Sequence, residues 1–446
     1  MKIHLLFFAL LSAVLAVGEW EKVPTSDNVR ILALFGAKRI NLGINSVFHH
    51  KLIRVLSAER QVVAGYNYKI NITIQETECK KARHSFEAAQ KCNLLPSKSP
   101  KVCQVVVYQR PWLNETKVTS FACSEASSNA KRSNVESLHR RLFEKFIKKY
   151  KRSYSDEYEK EKRFKIFRAN LKQIKELNSN ERGTAIYGVT KFADLNENEF
   201  RKHLGFRPDL AQANSIPPPA EIPSISIPKS FDWRHYNVVT EVKNQQQCGS
   251  CWAFSTTGNI EGQWALKKKK LVSLSEQELV DCDKVDQGCN GGLPSNAYKE
   301  IIRLGGLETE KEYPYEAEDE TCEFKKSDVR VYINSSVSIS QNETEMAVWL
   351  VKHGPISIGI NANAMQFYYG GISHPWKFLC SPDNLDHGVL IVGYGVHSYP
   401  LFKTVLPFWI IKNSWGADWG EQGYYRVYRG DGTCGLNKMA TSSIVD

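Results

Sequence analysis

Apart from its first residues, this 446-residue sequence lacks an apolar run long enough to cross a bilayer, which excludes a transmembrane helix further along the chain. At the start, Lys2 precedes a short apolar stretch from Leu5 to Val17. A charged start, a short apolar run and a plausible cleavage site at 14–16 are typical of a secretory signal peptide over residues 1–17. We therefore expect a soluble mature protein that enters the secretory pathway and reaches the lysosome or the extracellular space.

The second half of the sequence lacks an excess of positive charge, although the whole chain has a formal net charge of +11. From residue 228 to the end there are 21 Lys and Arg against 26 Asp and Glu, a net charge of −5. Between residues 131 and 175 there are 16 Lys and Arg against 6 Asp and Glu, a net charge of +10. Because the basic residues form a separate segment, we expect their acidic partner to be the rest of the chain, and we expect no nucleic-acid partner.

Cysteine is unevenly distributed, since four of the 11 cysteines precede residue 130 and seven follow residue 247. In a secreted protein cysteines pair into disulfides, so an odd group predicts one unpaired thiol in the second half. Four Asn-x-Ser/Thr sequons fit the same pathway and predict glycosylation at Asn71, Asn114, Asn334 and Asn342. At this length two or three folded units are expected.

One stretch combines a candidate free thiol with the start of a helix. Residues 245–255 read Gln-Gln-Gln-Cys-Gly-Ser-Cys-Trp-Ala-Phe-Ser, so that Cys251 follows a Gly-Ser turn and opens an apolar run suited to a buried helix. The positive end of a helix dipole favours thiolate over thiol and makes a cysteine there a stronger nucleophile. A lone cysteine is more often an inert buried residue, so the assignment depends on further motifs.

Two such motifs follow. His387 lies 136 residues after Cys251 in Asp-His-Gly-Val-Leu, and Asn413 follows in Lys-Asn-Ser-Trp-Gly. Together with Cys-Gly-Ser-Cys-Trp they resemble the papain-like family of cysteine proteases. The resemblance implies an α+β fold with a two-lobed catalytic domain, one lobe helical and the other β-barrel-like. In that family Cys251 would be the nucleophile and His387 the general base and acid, with Asn413 orienting the imidazole and Trp415 shielding it from water.

The resemblance also implies an oxyanion donor and a substrate cleft. Gln245 matches the donor, which acts with the backbone N–H of Cys251, and Gln246 stands where the family usually has glycine. The implied substrate-binding positions are bare or apolar: Gly291, Gly292, Leu293, Pro294, Gly359, Leu385, Gly388, Trp419 and Met439. We therefore expect a hydrophobic residue two positions before the scissile bond. Between His387 and Asn413 the chain is longer than in compact members, which predicts a loop over residues 397–407. No cofactor and no metal are implied.

The basic segment resembles the inhibitory propeptide of the same family. Helices are predicted over 138–150 and 157–177, and the second carries the interspersed signature Glu159, Arg163, Phe167, Asn170, Ile174 and Asn178. Residues 188–194 resemble a second propeptide motif. The resemblance implies a helical propeptide over 138–205 that crosses the active cleft in reverse polarity. A small, polar linker at 126–137 precedes it, and a proline-rich linker with the activation site, 206–227, leads to the peptidase domain, 228–446.

Residues 20–125 resemble a cystatin, the family of cysteine-protease inhibitors, which adds a second α+β domain. An amphipathic helix is predicted over 29–40. Residues 61–65 are predicted to open a strand that continues with alternating apolar residues from 66 to 74, and further strands are predicted at 102–108 and 118–123. The family's inhibitory loops would be residues 61–65 and 111–112. The order of cystatin-like domain, propeptide and peptidase domain resembles cathepsin F-like proenzymes, although Ile174 and Asn178 follow the commoner propeptide signature.

Both family resemblances imply disulfide pairs: Cys79 with Cys92, Cys103 with Cys123, Cys248 with Cys289, Cys282 with Cys322, and Cys380 with Cys434. Cys251 would then be the odd thiol. The sequence thus predicts a monomeric cysteine endopeptidase made as a zymogen, whose partners are protein or peptide substrates, its own propeptide and cystatin-type inhibitors. It also predicts release of the basic propeptide by acid, as carboxylates protonate. Two alternatives stay open, namely a cystatin-type inhibitor with a secondary protease half, and a redox or zinc pair formed by Cys248 and Cys251.

Overall fold

A computed structural model of the protein describes residues 19–113, 115–125, 130–211, 216–399 and 404–446. The predicted signal peptide and the sequon Asn114 lie outside the described residues. The chain forms two compact units, the first ending at Asn134 and the second beginning at Val135. No helix within the described ranges is long and apolar enough to cross a membrane.

The first unit is an antiparallel sheet that packs on one long helix. Its elements are β1 (Glu21–Val23), α1 (Asp27–Gly43), β2 (Phe48–Val63), β3 (Gly65–Lys80), α2 (Phe86–Ala89), β4 (Lys101–Arg110) and β5 (Glu115–Glu125). The strands pair in chain order, β1-β2-β3-β4-β5. Ile70, Ile72 and Ile74 alternate along β3 and pack with Leu32 and Ile40 of α1 in one buried core. Two disulfides join Cys79 to Cys92 and Cys103 to Cys123.

Residues 61–63 end β2, Ala64 is the turn, and Gly65 begins β3, so the prediction that residues 61–65 open a strand is correct only for Gly65. Gly65 has a φ of 132°, a conformation that glycine adopts without steric cost. The greater part of the long strand β2, residues 48–60, was not predicted. Its charged residues, such as Lys51, Arg54 and Glu59, interrupt the apolar alternation that identified β3.

The second unit begins inside a helix, and its first helices pack through aromatic side chains. The elements are α3 (Ala130–Lys149), α4 (Glu157–Ser179), β6 (Ile186–Tyr187) and α5 (Glu197–Arg201). Phe143 and Phe146 of α3 meet Phe164 and Phe167 of α4, with ring centroids between 5.2 and 5.5 Å apart. Both predicted helices are present. The predicted linker 126–137 is too long, since residues 130–137 are helical and contain no glycine or proline to prevent it.

The remainder of the second unit has a helical part and a large sheet. Its helices are α6 (Cys251–Lys268), α7 (Glu276–Cys282), α8 (Pro294–Leu304) and α9 (Glu343–His353). Its strands are β7 (Phe231–Asp232), β8 (Ser335–Ser338), β9 (Ile356–Ile360), β10 (Tyr368–Gly370), β11 (Ile372–Ser373), β12 (His387–Tyr399), β13 (Thr404–Lys412), β14 (Tyr424–Tyr428) and β15 (Ala440–Ile444). Helices α6, α7 and α8 share a core around Trp252, Leu279 and Tyr298.

The sheet has the strand order β11-β14-β13-β12-β9-β15-β8, with β7 added to β12. The predicted loop at 397–407 is instead largely a hairpin, because Val396 pairs with Pro407 and Ser398 with Val405. Residues 400–403 lie outside the description. In the proline-rich linker, the backbone of Pro218 and Ala220 bonds to Ser338 of β8. The sheet places β12 against α6, which brings the first residues of both elements together.

Candidate active site

Cys251 is the first residue of α6, and its side chain is completely buried. Its Sγ accepts a hydrogen bond from the backbone N–H of Gly388, at 3.2 Å. The other ten cysteines are paired as the family resemblances imply, with Cys248 bonded to Cys289, Cys282 to Cys322 and Cys380 to Cys434 in this unit. Of the cysteines in the described ranges, only Cys251 is free. Because Cys248 is already bonded, the redox or zinc pair with Cys251 is ruled out.

His387 opens β12, and Asn413 follows the last residue of β13, so the pairing of these strands brings the two side chains together. Nε2 of His387 lies 2.7 Å from Oδ1 of Asn413. That oxygen also accepts the backbone N–H of Ser414 at 2.8 Å, so Nε2 is the donor to it. The indole of Trp415 stacks on the imidazole with centroids 4.6 Å apart. Nδ1 of His387 is buried and has no hydrogen-bond partner in the described part of the chain, so its lone pair is available for a proton.

Gln245 lies in the loop before α6 and is fully buried. The hydroxyl of Ser414 donates to its Oε1 at 2.7 Å, which points the amide nitrogen the other way. That nitrogen donates to the carbonyls of Cys248, at 2.8 Å, and His203, at 3.1 Å. Gln246 adopts a φ of 55°, the left-handed conformation that glycine usually fills, which accounts for the family's preference at this position.

The propeptide passes directly over this site. The backbone N–H of Gly292 donates to the carbonyl of Gly205 at 2.8 Å, and the N–H of Arg207 donates to the carbonyl of Gly292 at 3.0 Å, which makes a parallel bridge. On the opposite side the N–H of Phe206 donates to the carbonyl of Asp386 at 3.1 Å. Residues 206 and 207, assigned to the linker from the sequence, are therefore part of the segment bound in the cleft.

Phe206 fills a pocket that is built mainly from the predicted substrate-binding residues. Its ring packs with Leu293, Leu385 and Met439. A Cβ on Gly359 would lie 2.4 Å from the Phe206 ring, so the pocket exists because that position is bare. Of the other predicted residues, Gly291 and Gly292 contact the bound backbone, Gly388 contacts Cys251, Pro294 is buried at the start of α8, and Trp419 lies apart against Trp415 and Met365.

The electrostatics of the covered site hold both reactive groups neutral. Burial raises the pKa of the Cys251 thiol to about 12, against the opposing effect of the N–H groups of Gly388 and Gly205. Burial lowers the pKa of His387 to about 4, although its bond to Asn413 opposes the shift. A thiol beside a neutral imidazole cannot attack a carbonyl efficiently. The geometry is therefore that of an assembled site kept in an unreactive state by the chain that covers it.

His203 is the propeptide residue closest in sequence to the covering segment that can titrate near neutral pH. It is buried, its ring packs against Phe192 with centroids 4.9 Å apart, and its Nδ1 bonds to the carbonyl of Gln246. Burial, together with the charges of Lys191 and Arg152, lowers its pKa to about 4, although its bond to Gln246 opposes the shift. Sequence reasoning missed His203, Gly205 and Phe206, because only a short apolar stretch after α5 marks them.

The propeptide is anchored further along by strand pairing and by ion pairs. β6 pairs antiparallel with β10, and Lys191 lies 2.9 Å from Asp418. Within the propeptide, Arg163 of the signature pairs with Glu159 at 2.6 Å and with Glu199 at 2.8 Å. The signature thus stabilises the propeptide itself.

The remaining predicted sites lie at the surface or in the sheet. Asn342 is exposed at the N-cap of α9, Asn334 is exposed before β8, and Asn71 is half-buried in the middle of β3. No group of three or more His, Cys, Asp or Glu side chains within the described ranges is placed to hold a metal ion. In the first unit, Val62 and Trp112, from the two predicted inhibitory loops, are 51% and 64% exposed.

Comparison with known proteins gives three family matches along the chain. Residues 19–112 match the cystatin domain, residues 143–200 match the cathepsin propeptide inhibitor domain, and residues 227–444 match the papain family cysteine protease. Among solved structures, the digestive procathepsin L2 proteinase from the Tenebrio molitor larval midgut is 30% identical. It superposes with a TM-score of 0.63 over 69% of this chain and 100% of its own. A recombinant stem bromelain precursor is 34% identical and superposes with a TM-score of 0.60, over 69% of this chain and 99% of its own.

Curated relatives point the same way. Cathepsin F of Drosophila melanogaster is 47% identical over 89% of this chain, and cathepsin F of Mus musculus is 52% identical over 68%. The chain spans 65% of the length of each of these two relatives. Cysteine proteinase 1 of Dictyostelium discoideum is 45% identical, and the match covers 68% of this chain and 92% of that protein. The chain belongs to the papain family of cysteine proteases, and it also carries a cathepsin propeptide inhibitor domain and a cystatin domain.

Proposed function

We propose that this chain is the zymogen of a cysteine endopeptidase that hydrolyses peptide bonds through a thioester. The observation that carries the proposal is the joint placement of three features. A free cysteine begins α6, a histidine bonded to Asn413 through Nε2 leaves Nδ1 open, and a peptide segment of the chain itself occupies the cleft beside them.

Once the propeptide leaves, water and substrate reach the thiol and the burial that raised its pKa is relieved. Cys251 gives its proton to Nδ1 of His387, and the thiolate attacks the substrate carbonyl carbon. The amide of Gln245 and the N–H of Cys251 stabilise the oxyanion. As the tetrahedral adduct collapses, the C–N bond breaks and His387 protonates the leaving amine, which leaves a thioester. His387 then takes a proton from water, which hydrolyses the thioester and restores the thiol.

The preferred substrate carries a hydrophobic residue two positions before the scissile bond. Phe206 supports this, because its ring lies among Leu293, Leu385 and Met439. The bare position Gly359 leaves room for an aromatic ring.

His203 adds an acid-sensitive group to the carboxylates in the release of the propeptide by acid. Asp431, which pairs with Arg182 of the propeptide, has its pKa lowered to about 2 chiefly by its hydrogen bond to His374, so it stays ionised at pH 4 to 6. His203 has its pKa lowered from 6.5 to about 4 while docked. Below pH 6.5 the released propeptide binds a proton that the docked form excludes, so docking weakens as the pH falls toward 4.

The protein acts as a monomer in the lysosome or outside the cell, after passage through the secretory pathway. Its partners are protein or peptide substrates, its own propeptide and cystatin-type inhibitors. The disulfides support an oxidising route. Activation cleaves the chain within residues 206–227, the proline-rich linker.

The test is hydrolysis of a fluorogenic peptide with Phe two residues before the cleavage site. Wild type and Cys251→Ala are expressed at full length, processed at acid pH with a trace of active enzyme, and assayed after that trace is accounted for. Wild type is expected to hydrolyse the peptide and Cys251→Ala to show only background. Glu197→Ala, at an exposed ion pair of α5, serves as the control. Equal activity of Cys251→Ala and wild type would overturn the proposal.

A second candidate function is inhibition of other cysteine proteases by the first unit. The exposed side chains of Val62 and Trp112 lie on the turns β2-β3 and β4-β5, and Tyr108 links these turns by donating to the carbonyl of Ala64. The full-length Cys251→Ala protein is titrated against an unrelated cysteine protease. Inhibition that disappears in the additional variant Trp112→Ala would support this function, and absence of inhibition would exclude it.

A further inference from the structure

Two buried aspartates lie directly behind the backbone that holds the bound peptide. Asp283 and Asp286 follow α7 and are 9% and 8% exposed. Oδ1 of Asp283 accepts the backbone N–H groups of Val285 and Asp286, at 2.7 and 2.9 Å. Oδ1 of Asp286 accepts the backbone N–H of Leu293 at 3.1 Å. Each carboxyl group therefore uses one oxygen to hold local backbone.

The second oxygen of each carboxyl group is unsatisfied. Oδ2 of Asp283 and Oδ2 of Asp286 are both buried and have no hydrogen-bond partner among the described residues. Two ionised carboxylates in this position would repel each other and leave both oxygens without a donor. A single proton between the two groups satisfies both atoms, because the protonated carboxyl donates and the ionised one accepts.

The charged groups around the pair do not neutralise it. Besides burial, the negative charge of Glu300, on α8, raises the pKa of Asp283 rather than compensating its charge. The guanidinium of Arg303 forms its ion pair with Glu300, at 2.8 Å, and not with either aspartate. Lys284 contacts Glu300 through its backbone N–H at 3.1 Å. Towards Asp286 the α8 partner is the uncharged Asn296, whose amide donates to Oδ1 at 2.9 Å. Asn296 also donates to the carbonyl of Leu210 in the propeptide, at 3.2 Å.

Asp286 also lies against the residue that pairs with bound peptide. A Cβ on Gly292 would come within 2.7 Å of Cβ and Cγ of Asp286. The N–H and carbonyl of Gly292 are the groups that bond to Gly205 and Arg207 of the propeptide. The carboxyl group thus fixes the backbone on both sides of the Gly292–Leu293 peptide bond, one residue from the atoms that hold the bound chain.

We propose that Asp283 and Asp286 share one proton, and that this proton-bridged pair positions the peptide-binding backbone at Gly292 and Leu293. Asp286 is a positioning residue, since it acts on bound peptide through the main chain. Loss of the shared proton leaves two adjacent negative charges under that backbone and loosens it.

The pair has a defined pH dependence. Burial, and after it the charge of Asp283, raises the pKa of Asp286 to about 8, and burial also raises the pKa of Asp283. Both groups have an ordinary pKa of 3.8, so between pH 3.8 and 8 the folded chain keeps a proton that the unfolded chain releases. A raised acid pKa contributes stability that is complete below pH 3.8 and is lost as the pH rises to 8. The pair therefore suits the chain to acid surroundings.

The test compares thermal unfolding of the full-length Cys251→Ala protein, which cannot process itself, with and without Asp286→Asn. Asparagine can accept from Leu293 and donate to Asp283, but it does not titrate. Between pH 5 and pH 8 the unfolding midpoint of the Cys251→Ala protein is expected to fall by about 3 °C or more beyond the fall seen when Asp286→Asn is added. Asp328→Asn, at a half-exposed site, is the control and should leave the pH profile of the Cys251→Ala protein unchanged. Parallel pH profiles with and without Asp286→Asn would overturn the proposal.

A second measurement holds even if a variant fails to fold. Infrared difference spectra between the full-length protein and Asp286→Asn, or Asp283→Asn where the first variant fails to fold, are expected to show the carbonyl stretch of a buried protonated carboxyl group at pH 7, which disappears above about pH 8. A spectrum at pH 7 that the substitution does not change contradicts the shared proton, because the band then belongs to other buried acids such as Glu276 and Glu278. Titration with Ca²⁺ or Mg²⁺ provides a further check. A rise in the unfolding midpoint that Asp286→Asn abolishes would assign the two oxygens to a cation and overturn the proposal.

The positioning role rests on the proposed protease function and has its own readout. Asp286→Ala leaves the N–H of Leu293 without its acceptor, so KM is expected to rise at least about fivefold with kcat little changed, and Asp286→Asn is expected to restore KM. An effect confined to kcat contradicts the positioning role. If no variant hydrolyses peptide, the protease proposal fails, while the unfolding and infrared measurements still decide whether the proton is shared.

Discussion

A side chain on Gly205 would place its Cβ 1.7 Å from the carbonyl oxygen of Gly249, two residues before Cys251. The clash is with backbone at the turn that leads into α6, so neither partner can move aside cheaply. The propeptide can therefore reach the cleft only where it carries a glycine. Covering of the active site in the uncleaved chain therefore depends on glycine at position 205.

Gly205→Ala is expected to expose Cys251 in the uncleaved protein. The measurement is the rate of alkylation of the full-length protein by iodoacetamide at pH 7, followed by mass spectrometry. In wild type the thiol is buried and its pKa is about 12, so alkylation is slow. Gly205→Ala should raise the rate by about tenfold or more, because the covering segment no longer fits.

Gly188→Ala is the matched control for this variant. It lies in the same propeptide, but a Cβ there would meet Tyr369 at an ordinary 3.8 Å. Its alkylation rate should equal that of wild type. Equal rates for Gly205→Ala and Gly188→Ala would show that the segment does not seal the site as the structure indicates.

His203→Asn is expected to weaken the response of processing to acid. Asparagine retains a donor for the carbonyl of Gln246 but does not take up a proton. Since docking lowers the pKa of His203 from 6.5 to about 4, protonation can weaken docking by up to about two orders of magnitude at pH 4.5.

Processing rates are measured from pH 4.5 to 6.5 at constant ionic strength. For wild type the rate should rise as the pH falls, and for His203→Asn it should rise much less. His235→Asn, at an exposed histidine, is the control and should match wild type. An unchanged acid response in His203→Asn would assign the trigger to other groups.

Features of this site that depend on residues close together in the sequence could be predicted from it, whereas features that depend on packing between distant residues could not. Cys251 lies in a local motif with a turn and a helix start, so its place at the N-terminus of α6 was predictable. The contact of His387 with Asn413 was predicted from the order and spacing of the family's motifs, and the pairing of β12 with β13 is what produces it.

Features that depend on long-range packing were not predictable. Nothing near Phe206 indicates that its ring meets Gly359 and Met439, because those contacts depend on how the propeptide lies across the folded unit. In the same way Asp283 and Asp286 are typical of a polar turn, and only burial makes them unusual. The family resemblance predicted the residues that line the pocket, but it did not predict that Phe206 fills it.

The bond from Ser414 to Gln245 predicts a graded effect on turnover. Removing the amide with Gln245→Ala should lower kcat by about 10² to 10³-fold, the usual effect of losing one oxyanion donor. Ser414→Ala keeps the amide but removes the 2.7 Å bond that orients it, so kcat should fall by about 2 to 10-fold. Steady-state kinetics of the processed enzymes measure both. A larger loss for Ser414→Ala than for Gln245→Ala would be inconsistent with an orienting role.

The absence of a side chain at Gly359 predicts the substrate preference of the proposed protease. A Cβ there would come within 2.4 Å of a ring placed where Phe206 lies, so Gly359→Ala narrows the pocket chiefly for aromatic side chains. For peptides with Phe two positions before the cleavage site, kcat/KM should fall by about tenfold or more, whereas peptides with Val there should lose less, since the smaller side chain stops short of the added methyl group. Both peptides are assayed with the same leaving group. Equal losses for the two peptides would mean that the pocket occupied by Phe206 in the zymogen is not the one that selects substrate.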